Sequence, residues 1–113
     1  MTVSAGQRIR RDVDKALAAA SRQLGKQLEW SELELDVIER AAATADRAEV
    51  VRAVFDAERA GDARPTVLVS LSGELRLLDK TVVDLLSRLE FRDGKAKSDR
   101  HQRAANYRWN REA

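Results

Sequence analysis

The chain has 113 residues, 43% of them hydrophobic, 35% charged and only 4% aromatic, a size that suits one small domain. One Pro and five Gly argue against a many-turned sandwich or barrel, whose tight turns need those residues. The absence of Cys and the single His101 exclude disulfide scaffolds, Cys-ligated zinc, thiol nucleophiles and a multi-His metal site within one chain. No run of about 18 apolar residues and no signal-peptide pattern occur, so the expectation is a soluble, cytoplasmic protein.

The net charge of +2 conceals an uneven distribution. Residues 1–30 carry a net +3, residues 31–62 a net −5, residues 63–90 zero and residues 91–113 a net +4. A polyanion or a protein partner meets these local values rather than their sum.

In chain order, Ile9, Val13, Leu17, Ala20, Leu24 and Leu28 recur at spacings of three or four. This predicts a helix over roughly residues 3–28. Val3 and Gly6 leave its start weakly defined, and the first residues read as a frayed arm. Ser31-Glu32-Leu33-Glu34 is a capping box, with Trp30 at N′ placed to staple against Leu35. A second helix of about 30 residues follows, with no breaker before Gly61. Its alanines, Ala41 to Ala43, Ala45 and Ala48, permit close approach of another helix.

Gly61-Asp62-Ala63-Arg64-Pro65 is the clearest break. Thr66 to Val69 reads as a short extended piece, after which Ser70 or Ser72 caps a third helix. There Leu68, Leu71, Leu75, Leu78, Val82, Leu85 and Leu89 keep a 3.5-residue period, a heptad seam suited to helix pairing within or between chains. Leu77 and Leu86 widen the stripe. The expected fold is therefore all-α: three helices, with helices 2 and 3 forming a long hairpin. So short a chain does not bury every apolar face alone, which predicts a homo-oligomer. We assign its interface to Leu71, Leu75, Leu78, Val82, Leu85 and Leu89. Residues 92–113 hold no aliphatic side chain larger than Ala and read as a flexible basic tail. The resulting division is a basic N-terminal helix (1–30), a hairpin oligomerisation core (31–91) and the tail (92–113).

No catalytic constellation emerges. The glycines form neither GxGxxG nor GxxxxGK[ST]. Glu32/Glu34/Asp36 and Asp56/Glu58 could face a hard cation, but i,i+2 residues on a helix point apart, so a solvated face is the preferred reading. His101 sits beside Arg100 and Arg103 and suits solvent or phosphate better than base catalysis. No cofactor, metal or catalytic residue is assigned. Nucleic-acid binding fits better. Arg8, Arg10, Arg11, Lys15 and Arg22 line the first helix, and Arg8, Arg11 and Lys15 share a face that can track phosphates. The tail adds Lys95, Lys97, Arg100 and Arg103, with Tyr107, Arg108 and Trp109 suited to stacking or to anchoring in a partner's pocket.

Three stretches resemble the terminase small subunits of tailed phages, in the form found in actinobacterial phages and prophages. They are Trp30–Glu34 continuing through Ala45-Asp46-Arg47 to Phe55–Glu58, then Val67–Arg76, and the closing Lys97–Arg111 with its R-x-x-A-A-N-x-R-W-x-R pattern. The resemblance covers roughly residues 28–111. It implies a non-catalytic ring in the bacterial host cytoplasm that binds double-stranded packaging-site DNA and recruits or regulates the large ATPase-nuclease subunit. Residues 1–30 are too short for the N-terminal helix-turn-helix of many such subunits. Two other readings stand beside it. One is a helical dimeric adaptor or antitoxin-like DNA-binding module, and the other a small metal-dependent nuclease.

Overall fold

The computed structural model describes residues 2–89 as three α-helices, α1 (Ala5–Leu24), α2 (Glu32–Ala60) and α3 (Pro65–Leu86), with no strand among the described residues. The expected all-α hairpin of helices 2 and 3 is present. α2 is the central element, about 44 Å long at 1.5 Å per residue, and both α1 and α3 pack against it. None of the described helices is long and apolar enough to cross a membrane.

α1 starts more firmly than the sequence suggests. Ser4 is its N-cap: Gln7 N–H donates to Ser4 Oγ at 3.1 Å, and Ser4 N–H donates to Gln7 Oε1 at 2.8 Å. The two amides between are bound by carboxylates of α2. Ala5 N–H donates to Glu49 Oε1 (3.2 Å) and Gly6 N–H to Asp46 Oδ1 (2.7 Å). Arg8 N–H then opens the regular ladder at Ser4 O. The amides that a helix start leaves unsatisfied are thus all occupied. The expected frayed arm is corrected to a capped, docked helix start. Gly6 permits this approach, because a Cβ there would lie 2.6 Å from the Ala42 carbonyl oxygen. At the other end Gly25 adopts the left-handed conformation (φ 67°), and Lys26 N–H closes back on Ser21 O at 3.1 Å. Leu28 N–H donates to Ser21 Oγ, which holds the connection to α2 and leaves Leu28 buried.

α2 begins at the expected capping box, with Glu34 N–H on Ser31 Oγ (3.1 Å) and Ser31 N–H on Glu34 Oε1 (3.0 Å). Trp30 packs against the core cluster, while Leu35, its expected staple partner, stays 49% exposed. The alanines do what their size allows: Ala41, Ala42, Ala45 and Ala48 are buried together with Ile38 and Thr44. Thr44 Oγ1 donates to the Arg40 carbonyl one turn back, so its hydroxyl is satisfied inside the helix.

The piece Thr66–Val69, expected to be extended, is helical. Pro65 occupies the first helical position, where its fixed φ suits the geometry and its missing N–H is no loss. Ser70 and Ser72 therefore lie within the helix, and Arg64 is the N-cap with no side-chain cap of its own. Glu58 supplies that function from the end of α2. Its carboxylate accepts Arg64 N–H at 2.9 Å and the Arg64 guanidinium at 2.7 and 2.9 Å. These bonds draw the Glu58 carboxyl down to about 2.

The core forms where the three helices meet: Val13 of α1, Ile38 and Ala41 of α2, and Leu86 with Leu89 at the end of α3, with Ile9, Val82 and Leu85 packed around them. α1 reaches along α2 only as far as Glu49, so the second half of α2 and the first half of α3 continue as a two-helix arm.

Gly6→Ala is expected to destabilise the fold by about 1–3 kcal/mol through overpacking against α2, despite the gain of roughly 1 kcal/mol in helix propensity. Urea denaturation measures it, and a more stable variant would show that the approach is not tight. Glu58 has a folded-state pKa below its unfolded one, so its stabilisation is complete above the unfolded value near 4.5 and is lost as pH falls toward about 2. Glu58→Gln should flatten the stability–pH curve across that window, read from thermal melts at stepped pH.

Candidate nucleic-acid interface

The structure separates the five basic residues of α1 into two groups. Arg10 Nη2 lies 2.6 Å from Glu39 Oε2 with Arg10 Nε also donating to the same carboxylate, a bidentate pair. That hydrogen bonding holds the Glu39 carboxyl below the usual carboxylate range and raises the Arg10 guanidinium further. Arg8 Nη2 approaches Glu49 Oε2 at 3.5 Å, and its Nη1 donates to the Val3 carbonyl at 2.9 Å. Both guanidiniums thus bridge α1 to α2.

Arg11, Lys15 and Arg22 are different. All three are exposed and form no ion pair among the described residues. At 100° per residue they fall within a narrow sector on the side of α1 opposite the buried Val13. The sector spans eleven residues, about 16 Å of helix axis, and the exposed Ala18 between Lys15 and Arg22 leaves its middle low. Asp12 and Asp14 border this sector without entering it. A basic stripe on the face away from the core, carried by a helix docked at its N-terminus, is a preformed surface for phosphate oxygens.

Lys95, Lys97, Arg100, Arg103, Tyr107, Arg108 and Trp109 lie outside the described residues. Of the seam assigned to an oligomer interface, Leu78 and Leu89 are buried inside this chain, while Leu71, Leu75, Val82 and Leu85 are half-buried. No group of three or more His, Asp or Glu side chains placed to hold a metal ion occurs among the described residues. An open groove of about 300 Å³ between the start of α1, α2 and α3 is lined by Ala45, Ala48, Val82 and Val83, with Arg52 and Asp79 at 3.3 Å on its wall. It brings no nucleophile and base together.

Sequence reasoning missed the partners of Arg8 and Arg10 and the carboxylates that dock α1. The box Ser4-x-x-Gln7 was a local signal for the helix start. The pairing of Gly6 with Asp46 depends on contact across 40 positions of sequence and carries no local signature. Comparison of the chain with family models, with curated proteins and with solved structures finds no match in any of the three.

Replacing Arg11, Lys15 and Arg22 together by Ala should change folding stability by no more than about 0.5 kcal/mol per site, as for surface positions outside any network. Urea denaturation of the triple variant checks that the stripe has no structural duty.

Proposed function

We propose that this chain is a non-catalytic DNA-binding subunit of the terminase small-subunit type, which contacts double-stranded DNA through Arg11, Lys15 and Arg22. The observation that carries the reading is the stripe itself: three exposed cations on one helix face, with no carboxylate partner among the described residues and no role in the core. Contacts of this kind read the phosphate backbone and not the bases, so they position the protein without selecting sequence. Arg8 and Arg10 support the stripe by holding α1 on α2.

The reading also draws on the resemblance of the sequence to phage small terminases. In that frame the subunit works in the bacterial host cytoplasm as a homo-oligomeric ring. Leu71, Leu75, Val82 and Leu85 contribute their half-exposed surfaces to neighbouring subunits. Lys95, Lys97, Arg100 and Arg103 add phosphate contacts, and Tyr107, Arg108 and Trp109 dock the large subunit. Repetition around a ring turns weak phosphate contacts from each protomer into tight binding. A helical dimeric adaptor is the second reading, favoured by the exposed Val69 (72%) and Leu77 (60%) on α3, which offer a protein partner more than a polyanion.

Binding of a fluorescent 30-base-pair duplex across a salt series distinguishes these. Three phosphate contacts predict a log–log salt slope near −2.7 per bound protomer from α1 alone. The triple Ala variant should lose about that much of the slope, whereas Arg10→Ala should lose less. An unchanged slope in the triple variant removes α1 from the interface. No binding at low salt, together with a two-chain mass, selects the adaptor.

A further inference from the structure

α2 carries a row of side chains that neither neighbouring helix covers. Ala43, Arg47, Val50, Val54 and Ala57 recur at spacings of four, three, four and three, and all five are exposed, Val50 at 64% and Val54 at 49%. α1 engages α2 through Glu39, Asp46 and Glu49, and α3 engages it through Arg52. The row lies on the remaining, third side. This explains why α2, unlike α1, has no single polar face: it is apolar toward α1, toward α3 and outward. A 3.5-residue period is the spacing at which one helix seats against another of the same period. The corresponding apolar seams of α1 and α3 already face α2.

We propose that this row docks against the same row of a second copy of the chain, α2 against α2, antiparallel about a twofold axis between Val50 and Val54. Charge and size set the occupant and its direction. A parallel, in-register pair would stack Arg47 on the partner's Arg47, like charges directly opposed at a seam position. An antiparallel pair centred near residue 52 sets Val50 across from the partner's Val54. It also lays the Arg47 stem over the partner's Ala57, beside the partner's Glu58. Arg47 forms no ion pair among the described residues, and the Glu58 carboxylate stays ionised well into acid, so the new contact brings together opposite charges. Ala43 and Ala57 at the ends of the row let the helices approach closely. This contact goes beyond the DNA reading and stands without it, because the α1 stripe is on another surface.

The test uses full-length protein without DNA. Because the chain has no cysteine, introduced thiols report geometry cleanly. Val50→Cys and Val54→Cys proteins, separately tagged and mixed, should cross-link to each other in preference to themselves under mild oxidation, and Ala43→Cys should not link to itself. Val54→Asp, and separately Val50→Lys, should halve the mass seen by sedimentation velocity with far-UV helicity retained. Efficient self-linking of Ala43→Cys would show a parallel pair and overturn the proposal. An unchanged mass in both charged variants would also overturn it, leaving the row to a different partner.

Discussion

The fold depends on carboxylates of one helix closing the N-termini of the other two. α2 supplies Asp46 and Glu49 to the amides of Ala5 and Gly6 at the start of α1, and Glu58 to the amide of Arg64 at the start of α3. Each helix start carries partial positive charge and donors with no partner in their own helix. Each carboxylate answers both needs at once. The net −5 of residues 31–62 is therefore not simply a solvated face. Part of it is the electrostatic frame that holds a hairpin on each side of α2.

That frame also decides what α1 can offer. With its first turn docked and Arg8 and Arg10 tied to Glu49 and Glu39, α1 is held in rotation about its axis as well as in position. Rotation matters because a helix presents a different set of side chains every 100°. Held this way, it buries Val13 and turns Arg11, Lys15 and Arg22 outward. A phosphate surface built on a helix free to roll would incur an ordering cost at each binding event. Here the ordering is done by the fold.

Much of the architecture was legible in the sequence because it is local. Ser31 with Glu34 sets the start of α2, Gly25 and Gly61 mark helix ends, and the periodic apolar positions of all three helices follow from spacing alone. Two readings failed for different physical reasons. Thr66 to Val69 are β-branched or bulky enough to suggest extension, yet Pro65 at the first helical position and packing along α2 override a weak propensity. Gly6 looked like a weakness in a helix start. In the folded chain it is the one residue type that admits the Ala42 carbonyl and the Asp46 carboxylate, a requirement set by tertiary contact. The candidate site was legible as a cluster of five cations. Which three stay available was not, since their competitors lie about 30 to 40 positions away.

The same accounting revises the meaning of the small net charge. Residues 2–89 carry 14 positive and 15 negative side chains, and the remaining positive excess, a net +3, belongs to residues 90–113. A described body of net −1 would repel DNA weakly if its charges were spread evenly. They are not, because carboxylates gather along α2, where helix starts and Arg8, Arg10 and Arg64 occupy them. What faces outward on α1 is consequently more basic than the total suggests. Local field, set by which charges are already answered within the fold, decides what such a surface attracts.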